Sequence, residues 1–116
     1  MAIGSGGPWR LYASFQGKNK DIIKTGQGSV MSAIAENRSA EKIYLQLFDQ
    51  FTSPAASEVP IICVPMFPGG GGFVLDQDLW GPEGHGFATG IAFGFSTTVA
   101  EFTAGTTDAT LQLWYW

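Results

Sequence analysis

The sequence predicts an all-β fold, an antiparallel β-sandwich or jelly roll of about eight short strands. Three observations carry this. Apolar residues alternate with period two and almost nowhere with the helical 3.6. Short apolar runs recur at spacings of roughly ten residues, the rhythm of an antiparallel sandwich. Sixteen glycines and six prolines supply the turns between them.

The first eight residues, MAIGSGGP, hold too much glycine and too few apolar residues for a strand, so 1–8 reads as an extended arm and 9–116 as one sandwich domain. WRLYASF (9–15) and DIIKT (21–25) are strands flanking the turn QGKNK. SVMSAIAENRSAEKIYLQLF is the one stretch with helix formers, but Asn37-Arg38-Ser39 breaks it and β-branched and aromatic residues fill its second half. It reads as strands 29–36 and 42–51, with Ile43, Leu45 and Leu47 alternating against Tyr44, Gln46 and Phe48.

VPIICVP (59–65) is apolar and hemmed by prolines, which suits an edge strand or a strand entering at its end. Pro65 and Pro68 are expected to stop it, and Gly69, Gly70, Gly71 and Gly72 to reverse the chain into GFVLD (72–76). GFATGIAFGFSTT (86–98) is the longest predicted strand. Phe87, Thr89, Ile91, Phe93 and Phe95 share one face, and Ala88, Gly90, Ala92, Gly94 and Ser96 the other. A face of such small residues admits something bulky at close range, either the facing sheet or another chain. TLQLWYW (110–116) is the last strand, with Trp114 and Trp116 on one face and Tyr115 on the opposite one.

Composition excludes several function classes. Charged residues are only 14% of the chain against 45% hydrophobic, so disorder is not expected and part of the apolar surface can be covered by other subunits. A net charge of −4 argues against a nucleic-acid groove, which needs clustered cations to displace counterions. Lys18, Lys20 and Lys24, with Asp21 among them, read as a solvated strand edge. MAIGSGGPWR lacks the basic start and apolar core of a signal peptide, and no apolar run approaches the ~18 residues of a membrane span. Neither nucleic acid nor membrane is an expected partner. Cys63, the single cysteine, reads as a small buried hydrophobe.

No chemistry-bearing motif survives comparison with its requirements. The four glycines lack the Gly-Lys-Ser/Thr of a phosphate loop, and a strand rather than a helix follows them. Asp76, Asp78, Glu83 and His85 fall short of the oxygen ligands a calcium loop supplies and read as a solvated acidic loop. One histidine and one cysteine 22 positions apart form no triad. No enzymatic activity, cofactor or metal is expected. The aromatic residues, 14% of the chain with four tryptophans, suit both protein interfaces and sugar platforms.

The stretches IYLQLFD, VPIICVPMFPGGGGFVLD and GPEGHGFATGIAFGFS, within residues 30–98, resemble small virion proteins of tailed bacteriophages. The acidic segment DQDLWGPEGH (76–85) is richer than in that family pattern. The resemblance implies a sandwich or jelly-roll protein that decorates or cements the outside of an icosahedral head. It would be made in the host cytoplasm, act as a dimer or trimer, and bridge neighbouring copies of the major capsid protein. Ile3, Trp9, Phe67, Trp80, Trp114, Tyr115 and Trp116 are the expected subunit or capsid contacts. The alternative function is a carbohydrate- or receptor-binding module of a phage tail or fibre.

Overall fold

The computed structural model describes residues 10–14, 18–69, 71–75 and 84–116. Its strands are β1 (Arg10–Ser14), β2 (Lys20–Thr25), β3 (Gly28–Asn37), β4 (Ile43–Phe48), β5 (Ile62–Met66), β6 (Gly71–Leu75), β7 (His85–Phe87), β8 (Gly90–Ser96) and β9 (Ala109–Tyr115). All pair antiparallel in two sheets. One runs β1-β9-β3-β6, with β7 also on β3, and the other runs β2-β8-β4-β5. Because β6 pairs with Ala33–Asn37 and β7 with Gly28–Val30, they occupy one strand position along the same edge of β3. Each sheet thus has four positions, eight in all, in the strand order of a jelly roll.

The alternation read from the sequence places the core. Ala33 and Ala35 of β3 and Ala109, Leu111 and Leu113 of β9 face Ile43, Leu45 and Leu47 of β4 and Ile91, Phe93 and Phe95 of β8, all buried in one cluster. Tyr12 closes one side of the sandwich. Its ring packs edge-on to Phe93 with centroids 5.5 Å apart, and its hydroxyl donates to Asp21 Oδ2 at 2.8 Å. That bond ties the edge strand of one sheet to the edge strand of the other.

Four features differ from the sequence reading. Predicted strand 86–98 is two strands in different sheets, broken at Ala88-Thr89. The cause is Asp49, whose carboxylate accepts the backbone N–H groups of Ala88 (3.1 Å), Thr89 (2.8 Å) and Gly90 (3.3 Å) and so holds the chain in a corner. For the same reason β4 ends at Phe48 and not at residue 51. Thirdly, Pro65 lies inside β5, opposite Tyr44, where an edge position tolerates its missing N–H. Gly71 and Gly72 pair with Asn37 and Glu36 in β6. The chain here does not reverse within a sheet; it crosses from one sheet to the other. Gly69 makes that possible with φ +84° and donates its N–H to Ser39 O at 3.1 Å, while Gly70 lies outside the described residues.

The predicted break at Asn37-Arg38-Ser39 is the arch between β3 and β4. Asn37 is fully buried and supplies its bonds: Nδ2 donates to Glu41 O (2.8 Å) and Met66 O (3.0 Å), and Oδ1 accepts from Ser39 N (3.0 Å) and Ser39 Oγ (2.7 Å).

Candidate binding surfaces

The outer faces of the two sheets are treated differently by the chain. On the β2-β8-β4-β5 sheet, Phe48, Ala92 and Phe102 form a second buried cluster. Phe102 belongs to the segment after β8, which folds back over that sheet. Its ring stands edge-on to Phe48 at 6.1 Å and rests on Gly94, whose missing Cβ would lie 2.5 Å from Phe102 Cε1. The small-residue face therefore does admit a bulky group, and the group comes from the chain's own covering loop.

Two further contacts hold this cover. Gln46 Nε2, fully buried, points at the carbonyls of Thr98 (2.9 Å), Val99 (3.2 Å) and Glu101 (3.4 Å). Ser96 Oγ donates toward Thr98 O and accepts from Thr103 N at 3.0 Å. The loop before β5 joins in, since Phe102 N donates to Glu58 O (2.7 Å) and Ser57 N to Phe102 O (2.9 Å). Lys20 crosses from β2 to donate to Pro54 O at 2.9 Å, with its ammonium 5.9 Å from the Phe102 ring.

No described segment crosses the outer face of the other sheet. There Leu11 is paired across β1/β9 with Trp114, Trp114 with Ser32 of β3, and Gln112 with Ile34. Leu11 is 54% exposed and Ile34 44%, beside the half-buried Trp114. Thr110 and Glu36 border them as a polar rim. The arrangement is a central apolar patch on a rigid sheet. It offers shape and apolar area, with no nucleophile or base in place.

The remaining expected contacts are scattered. Trp116 caps the end of β3: it exchanges two backbone bonds of 3.1 Å with Ser29, and the Lys24 ammonium sits 5.1 Å over its ring. Tyr115 turns inward and packs against the core. Phe67 is 62% exposed at the far end of β5, where Lys42 Nζ lies 5.1 Å from its ring and 5.3 Å from that of Tyr44. Ile3, Trp9 and Trp80 lie outside the described residues, as do Asp76, Asp78 and Glu83 of the acidic loop. Among the described residues no group of His, Cys, Asp and Glu could hold a metal ion, and no helix is long and apolar enough to cross a membrane.

Among the described residues, three titratable groups are perturbed. For Asp49, desolvation raises the carboxyl's pKa, but the N–H groups of Thr89, Ala88 and Gly90 and the charge of His85 outweigh it, leaving it below the ordinary 3.8. Asp21 is lowered likewise, desolvation being outweighed by Lys18, Tyr12 and Ile22 N. Burial pushes the Cys63 thiol up, against a lowering contact from Gln46 Nε2 at 3.7 Å, so Cys63 is a poor nucleophile.

Sequence reasoning missed Leu11 and Ile34 as surface residues. The signal was present: each takes the outward parity of its strand, opposite Tyr12 and Ala33. No protein-family model matches the chain, and no curated protein and no solved structure shows significant similarity to it.

Proposed function

We propose that the protein is a structural virion component, a decoration or cement protein that binds the outer surface of an icosahedral phage head and bridges neighbouring major capsid subunits. The phage assignment rests on the resemblance of residues 30–98. The observation that supports a docking role is the asymmetry of the two faces: loops of the chain roof one sheet, whereas no described segment covers Leu11, Ile34 and Trp114 on the other. Patches of that kind on a rigid framework mark interaction surfaces.

The role is mechanical. A standard interface needs about 800 Å² from each partner, more than this patch alone supplies, so the rim of the β1-β9-β3 face takes part. Bridging two capsid subunits then makes the second contact intramolecular and raises avidity without a tight single site.

Co-sedimentation with empty heads assembled from the cognate major capsid protein tests this. Wild type is expected to pellet with heads, and Leu11→Glu/Ile34→Glu to stay in the supernatant while keeping its fold. Wild-type protein that fails to pellet but gives a signal on a glycan array would replace this reading with a carbohydrate-binding one.

A further inference from the structure

A second apolar surface runs along β5, an edge of the four-stranded sheet that pairs with no described strand other than β4. In β5, Ile62, Val64 and Met66 turn to the core, and Cys63 and Pro65 take the opposite parity. The residues flanking the strand continue that stripe: Ile61 is 48% exposed, Val59 72% and Phe67 62%. Exposed Val99 widens it at the middle, because the Val99 carbonyl lies over Gln46, the cross-strand neighbour of Cys63.

From residue 59 to 67 there is no charged side chain. Natural edge strands are guarded by charges, and an unguarded apolar edge pairs with something. Pro60 and Pro65 and the short length of β5 limit extension of the backbone ladder without covering the side chains.

The charges lie at the two ends and are of opposite sign. Lys42 stands beside Phe67, with its ammonium over the rings of Tyr44 and Phe67 and no carboxylate partner among the described residues. Glu58 adjoins Val59 and accepts from Ala55 N (2.6 Å) and Gln50 Nε2 (3.2 Å) on Oε1, leaving Oε2 without a described partner. A stripe with a cation at one end, a carboxylate at the other and a neutral centre is complementary to itself turned end for end.

We infer that this stripe seats a second copy of the chain, antiparallel about a two-fold axis at Cys63. In such an isologous contact residue i meets j and j meets i. Phe67 packs on the partner's Val59, Ile61 on the partner's Pro65, and Lys42 reaches the partner's Glu58, each contact occurring twice. Cys63 meets the partner's Cys63. The inference does not rest on head binding, since the β1-β9-β3 face stays open in this dimer.

The single cysteine makes the test specific. Native mass spectrometry at micromolar concentration is expected to give a dimer, and a short bis-maleimide to join Cys63 to the partner's Cys63 in native protein but not in urea. Phe67→Glu is expected to yield a folded monomer and abolish the cross-link, its unfolding midpoint falling to the value wild type shows when diluted below the dimer dissociation constant, because the side chain is mostly exposed in the single chain. Lys42→Glu is expected to raise the dimer dissociation constant about tenfold or more, and adding Glu58→Lys to restore it. A monomeric or trimeric mass overturns the inference. So does a dimer that persists in Phe67→Glu.

Discussion

Gly94→Ala tests the packing of the covering loop most sharply. The new Cβ would stand 2.5 Å from Phe102 Cε1 and 2.9 Å from Cδ1, whereas carbon atoms rest at about 3.5–4.0 Å. The ring must therefore retreat by roughly 1 Å. It has little room to do so: Phe48 stands edge-on to it, and the Phe102 backbone is held by Glu58 O and Ser57 N. Overpacking of this kind costs about 1–3 kcal/mol. For 116 residues the unfolding entropy is about 0.24 kcal/mol/K, so the Tm falls by about 4–12 °C. Phe102→Ala alone costs about 3–5 kcal/mol through the cavity it opens. In the Phe102→Ala background the obstruction is gone, and Gly94→Ala is expected to be neutral within about 0.5 kcal/mol. Urea unfolding of the four proteins gives the coupling, expected at 1 kcal/mol or more. Additive effects would refute the claim that Phe102 rests on Gly94.

Further expectations concern the corners. Asp49 and Asp21 both have folded-state pKa values below their ordinary 3.8, so each contributes stability that is full well above that value and is lost as pH falls through the depressed folded-state value. Asp49→Asn should thus lower stability at pH 7 and flatten the acid limb of a stability-versus-pH curve; an unchanged limb contradicts the corner's description. Asn37→Ala leaves Met66 O and Ser39 N without their buried partner and should cost about 2–3 kcal/mol by denaturant titration. Gly69→Ala meets no atom within 4 Å but must adopt φ +84°, so a loss of about 1–2 kcal/mol is expected. Gly69→Asn, which tolerates that conformation, should lose less, and equal losses would point to a cause other than backbone strain.

The strands were legible because both sheets obey period two: the alternation through Ile43, Leu45 and Leu47, and through Leu111 and Leu113, names inward residues directly. The punctuation at Asn37 was legible too, since Asn favours turns through its own side chain. The break at Ala88-Thr89 was not, because its cause, Asp49, lies 39–41 residues away and local propensity there favours one continuous strand. The partner of the Gly94 face was hidden for a similar reason. Nothing in residues 88–96 says that Phe102, reached through a loop, closes over them. The candidate surface was legible only in its aromatic half: Trp114 drew notice as a tryptophan, whereas Leu11 and Ile34 are ordinary strand residues until sheet order makes them its neighbours.

Hydrogen exchange of the protein alone and bound to heads tests the central claim, that one face is roofed by the chain and the other is left for a partner. Binding is expected to slow exchange in 10–14, 32–36 and 110–114 and to leave 97–104 unchanged. Protection gained in 97–104, with none in the β1-β9-β3 face, would contradict the account.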